Sequence, residues 1–145
     1  MKNWSEIAFA SHYLTAIEVK KSLQEGQVME AEQGISELID AMSRADRRAV
    51  KSQLVRLMKH IIKWKKQPQK RSISWIRTIL NARMEIEDIQ EETPSITGET
   101  IRGLWPRAFQ LAIDEAMEEM EVDNLKVEEL TWEEVFNNHY FLEKE

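Results

Sequence analysis

The sequence predicts an all-α protein, and two observations carry that prediction. Only 4 glycines and 3 prolines punctuate 145 residues, while Glu, Lys, Ala, Leu, Ile and Met, all strong helix formers, dominate. Apolar residues recur at steps of three and four through most of the chain, with the clearest run between Asp46 and Lys66. The expected architecture is a single-domain bundle of about five to seven helices over residues 1–145, built on an antiparallel αα-hairpin, with residues 1–26 a candidate separate helix or arm.

The first helical segment is expected from about Trp4 to Glu25. Ile7, Leu14, Ile17 and Leu23 supply its inward positions, and Gly26 supplies its stop. Trp4, Phe9 and Tyr13 do not share one stripe, which marks the early half as a separate arm or a fraying end. A second apolar set, Ile35, Leu38, Ile39 and Met42, follows an i, i+3, i+4, i+7 spacing. Ser43 to Asp46 then approximates a capping box, so a helix either restarts there or runs through.

From Asp46 to about Lys66 the signal is strongest. Val50, Leu54, Leu57, Ile61 and Trp64 make a two-heptad seam that Met58 widens. Pro68 disfavours helical geometry at Gln67 and should end this helix, leaving its terminal lysines at the negative end of the dipole. Ser72 or Ser74 can cap the next helix, about Ser74 to Gln90, which carries Trp75, Ile76, Ile79, Leu80, Ile86 and Ile89. His60 to Trp75 is thus a helix end, a tight turn and a helix start.

Thr93 to Gly98 is the best candidate linker. A short helix over Glu99–Leu104 is expected next, followed by one that Pro106 opens and that runs to about Met120. Thr131-Trp-Glu-Glu134 is a capping box for a last short helix ending near Asn138.

Charge is segregated along the chain. The overall value of −6 is the sum of −4 over residues 1–43, +12 over 44–84 and −14 over 85–145. Such a chain either folds acid against base or presents opposite faces to partners. The absence of cysteine excludes disulfides, thiolate metal sites and thiol nucleophiles. With no leader pattern and no apolar run of spanning length, the expectation is a cytoplasmic protein without a membrane segment.

The hairpin residues also carry a resemblance. His60-Ile-Ile-Lys63-Trp64, then Gln67-Pro68, Arg71-Ser72 and Ser74-Trp75-Ile-Arg-Thr78-Ile79, with Pro94-Ser95 and Trp105-Pro-Arg-Ala108 downstream, resemble the signature of the domain of unknown function numbered twenty-nine. That family comprises small helical bacterial proteins, mostly cyanobacterial and proteobacterial. Upstream the family's acidic Met-Gly-Arg-Ser run is thinned to Glu37-Leu-Ile-Asp40-Ala-Met42-Ser43-Arg44. The resemblance implies an all-helical fold and brings no activity, substrate or cofactor.

No catalytic, cofactor-binding or metal-ligating set is assigned. His60, between Arg56 and Trp64 on the seam's edge, has no His, Asp or Glu three or four residues away; a histidine packed on Trp64 and bonded to a carboxylate or to backbone is the simplest expectation. The candidate functional surface is His60 with Lys63, Lys66, Lys70, Arg71 and Arg77, and the structural signature of the hairpin is Trp64, Pro68, Ser74 and Trp75. Three functions remain in order. The first is a non-enzymatic module that contacts another protein or itself as a dimer, using apolar residues near the two ends: Trp4, Phe9 and Tyr13, and Tyr140, Phe141 and Leu142. The second is a nucleic-acid binder using Lys59, Lys63, Lys65, Lys66, Lys70, Arg71 and Arg77. The third is a metal-dependent or hydrolytic enzyme using His60.

Overall fold

Helix α1 spans Trp4–Ala10, α2 His12–Gln24, α3 Val28–Lys66, α4 Ile73–Glu92 and α5 Gly98–Met120 in the computed structural model, which describes residues 2–143. A 3₁₀ turn at Pro68–Lys70 and a π turn at Glu133–Asn137 complete the elements. The described residues contain no strand, so the chain is all-helical as its composition predicts. Residues cluster into two compact units, one ending at Arg47 and one beginning at Arg48.

The second unit holds the larger core. Val50, Leu54, Leu57, Met58 and Ile61 are fully buried, as their heptad spacing predicts, and they share one cluster with Ile79, Ala82 and Ile86 of α4. Pro68 opens the 3₁₀ turn that reverses the chain. Ser72 caps α4, its hydroxyl accepting the Trp75 amide at 3.2 Å. The result is the expected αα-hairpin.

Helix α5 is continuous where a break at Pro106 was expected. A proline inside a helix costs about 3 kcal/mol through the missing amide and the clash with the preceding turn. Ile101, Ala108, Ala112 and Ala116 all reach the core on one stripe that spans Pro106. Breaking the helix would misalign them, so burial outweighs the local penalty. A Thr97/Thr100 capping box starts the helix. Beyond α5 the capping box at Thr131 and Glu134 forms as predicted, each side chain accepting the other residue's amide, at 3.1 and 3.0 Å. The turn it starts is π-wound, closed by the Asn138 amide on the Glu133 carbonyl.

The first unit departs from the sequence reading in two ways. The expected helix from Trp4 to Glu25 breaks at Ser11, whose extended backbone (φ −162°, ψ 123°) ends α1 and whose hydroxyl caps α2 through the Leu14 amide. The second correction concerns which face is inside. Ala8, Thr15, Val19, Ser22, Ala31, Gly34 and Ala41 are buried with Trp4, whereas Leu14, Ile17, Leu23, Ile35, Ile39 and Met42 are exposed. Close approach explains the choice: a Cβ on Gly34 would lie 2.7 Å from both Trp4 and Val19 side chains. Only small residues fit between helices packed that tightly. The Trp4 indole N–H is satisfied by Glu30 at 2.8 Å, and the Thr15 hydroxyl by the Ser11 carbonyl at 2.6 Å. Helix α3 passes through Ser43 without restarting.

Candidate functional site

The outward side of the basic hairpin in the second unit meets the acidic C-terminal part of the same chain. Lys59 pairs with Glu115 at 3.2 Å and Glu119 at 3.3 Å, and Lys63 pairs with Glu119 at 3.2 Å. Lys65 reaches Glu134 at 2.7 Å. Glu115 and Glu119 lie one turn apart on α5, where their like charges repel; Lys59 bridges both. Burial works against ionising Glu119, but Lys63 and Lys59 outweigh it and hold its carboxyl below the ordinary range. Glu134 follows the same pattern, with Lys65 and Thr131 overriding burial.

The aromatic residues of the hairpin are engaged as well. Trp64 is buried, with the Tyr140 ring edge-on at 5.6 Å and the Arg71 guanidinium 4.8 Å from its centroid. Arg71 also donates through Nε to the Trp64 carbonyl at 2.8 Å, which ties the turn to the end of α3. Trp75 is only half-buried and lies beneath the Lys63 ammonium at 5.0 Å. Ser74 accepts the Thr78 hydroxyl on its carbonyl while Ser72 takes the cap. Lys66, Lys70 and Arg77 are exposed and form no ion pair among the described residues.

His60 points its Nδ1 at the Arg56 carbonyl, 2.9 Å away. A carbonyl can only accept, so Nδ1 carries the hydrogen and Nε2 is the basic nitrogen of the neutral ring. Burial lowers the pKa below 6.5; the Arg56 bond opposes this, and Lys63 and Lys59 push it down further. Among the described residues no three His, Asp or Glu side chains gather as a metal site.

Sequence reasoning missed the C-terminal clamp. Arg83 of α4 donates to the Val135 carbonyl at 2.7 Å and the Glu134 carbonyl at 3.2 Å, closing the π turn against the hairpin. Tyr140 donates to the same Glu134 carbonyl at 2.6 Å, and its burial pushes the phenol pKa up to about 12. Beside it a hollow of about 500 Å³ is rimmed by Trp64, Arg71, Asn137, Asn138 and His139. No local signal links Arg83 to residues some fifty positions away.

The first unit carries a different surface. Its exposed apolar side chains are Phe9, Tyr13, Leu14, Ile17, Leu23, Val28, Met29, Ile35, Ile39 and Met42. Val28, Ile35 and Met42 fall at heptad spacing, with Ile39 beside them, so they form one stripe along α3. Tyr13, Leu14 and Ile17 share the side of α2 opposite buried Thr15, Val19 and Ser22.

The profile of the family described as Domain of unknown function DUF29 matches residues 12–141, and the chain belongs to that family. No curated protein and no solved structure matches it. Among the described residues no helix is long and apolar enough to cross a membrane.

Proposed function

For a member of a family that brings no assigned chemistry, we propose a role in protein–protein contact, exerted through the first unit as a cytoplasmic, non-enzymatic module. One observation carries this reading: a unit ending at Arg47 that exposes ten large apolar side chains around a core cluster of Trp4, Val19 and Ala31. Exposed single apolar residues are ordinary, but contiguous helical stripes of them mark interaction surfaces. The single-domain reading belongs to this proposal too, since α3 is one continuous helix that supplies residues to both units.

A photo-crosslinking residue in place of Ile39 tests the reading in an extract of the source cells. Adducts with protein, either another chain or a second copy, are expected. Their complete absence would remove the proposal. The nucleic-acid reading loses ground because Lys59, Lys63 and Lys65 are held by carboxylates that compete with phosphate. Titration with single- and double-stranded nucleic acid at low salt is expected to give no binding. Binding that falls steeply with salt would reinstate it.

A further inference from the structure

The two apolar faces of the first unit differ in the sign of their borders. At 100° per residue, Tyr13, Ile17 and Leu14 span an outer arc of α2 that holds Lys21 and is bordered by Lys20, both exposed, while the helix's one acid, Glu18, lies beyond the opposite edge and is paired with Lys2. The stripe on α3 gathers Val28, Ile35, Ile39 and Met42; half-buried Asp46 lies within its arc and exposed Glu32 borders it. Lys20, Lys21, Glu32 and Asp46 form no ion pair among the described residues. The unit therefore presents a cationic apolar face and an anionic apolar face.

We propose that the occupant of this surface is a second copy of the chain, with α2 of each copy packed on the α3 stripe of the other. This rests on the contact reading above and names its partner. A two-fold axis makes the two faces meet twice, so each copy buries both stripes and sets Lys20 and Lys21 against Glu32 and Asp46 of its partner. Four helices then enclose one apolar layer, the arrangement that stripes at three- and four-residue spacing favour. Pairing each face with its own copy instead would set like charges together, which is unfavourable across an interface. The sign difference selects the α2-on-α3 arrangement.

Size-exclusion chromatography with light scattering on the full chain tests this through charge reversal. The unaltered chain is expected at twice its 17.1 kDa mass as concentration rises. Lys20→Glu with Lys21→Glu, and separately Glu32→Lys with Asp46→Lys, should each weaken association by more than about tenfold, with helical content unchanged. Mixing the two double variants should restore the dimer, because each then meets the opposite sign at both contacts. A chain carrying all four changes should also dimerise. A monomer at every concentration, a dimer indifferent to both reversals, or a mixture that stays monomeric would overturn the proposal. If the chain is monomeric yet Ile39 crosslinks to another protein, the second copy fails while the contact reading stands; a monomer without protein adducts defeats both.

Discussion

The unit beginning at Arg48 fills its core mainly with large aliphatic side chains, whereas the unit ending at Arg47 packs alanine, glycine, serine and threonine around Trp4 and Val19 and leaves most of its large apolar side chains outside. Leu54, Leu57 and Ile61 are fully buried; Ile35, Ile39 and Met42, equally apolar and on the same helix, are 44%, 61% and 46% exposed. Helix α3 therefore carries two apolar stripes with opposite fates. The first unit gains close helix packing from its small residues, and its large apolar residues remain for another surface to cover.

The sharpest way to break this contrast is to truncate one residue from each stripe. Leu57→Ala should cost about 2–5 kcal/mol in denaturant unfolding, the usual range for a buried leucine. Ile39→Ala, measured at concentrations low enough to keep the chain monomeric, should stay within about 0.5 kcal/mol. Equal losses would erase the distinction. A second test enlarges a residue in the tight interface: Gly34→Ala should destabilise by about 1–3 kcal/mol, overpacking against Trp4 and Val19 exceeding the roughly 1 kcal/mol gain in helix propensity. Denaturant unfolding of the variant beside the unaltered chain would report the loss.

Smaller effects probe the C-terminal clamp. Tyr140→Phe should cost about 1 kcal/mol through the lost bond to the Glu134 carbonyl. Because burial raises the phenol pKa from 10.0 to about 12, the stabilisation from Tyr140 is complete below pH 10 and lost as pH climbs through about 12. The phenylalanine variant should lack that alkaline loss. The His60 effect lies at the other end of the scale. Its pKa is held below 6.5, so the unfolded chain takes up the proton first, and stability present above pH 6.5 declines as pH falls below it. His60→Gln should flatten that part of the profile and leave the later loss, below pH 4.5, to Glu119 and Glu134. Glu119→Gln at neutral pH should change stability by about 0–1 kcal/mol, since its ion pairs are partly solvated.

How much was legible beforehand follows from what periodicity measures. The Val50 to Trp64 seam, the Pro68 turn and the Thr131/Glu134 box read correctly because large apolar residues faced the core and the box is local chemistry, while the cap of α4, left between Ser72 and Ser74, falls to Ser72. Charge segregation left open whether acid meets base within the chain or faces partners, and it gave no hint of Lys59 bridging Glu115 and Glu119. The same periodicity misread Leu14, Ile17 and Ile35 as inward. A pattern of large apolar residues locates a face that avoids water; it does not say whether that face is covered within the chain. Ala31, Gly34 and Ala41 were the overlooked signal, small residues three and seven positions apart on the side where helices could close up. The continuity of α5 through Pro106 was likewise set by burial on a stripe longer than either half-helix.

Methionine oxidation followed by mass spectrometry tests the central claim most directly, because the methionines sample each kind of surface. Met58 is fully buried, Met29 is 79% exposed off the α3 stripe, and Met42 lies on it at 46%. Exposed thioethers oxidise and buried ones are protected. The expected result is Met58 protected throughout, Met29 reactive throughout, and Met42 reactive in dilute protein but protected as concentration rises. A Met42 that oxidises at one rate across all concentrations, or that is protected even when dilute, would contradict a first unit that turns its apolar stripe outward to meet a second copy.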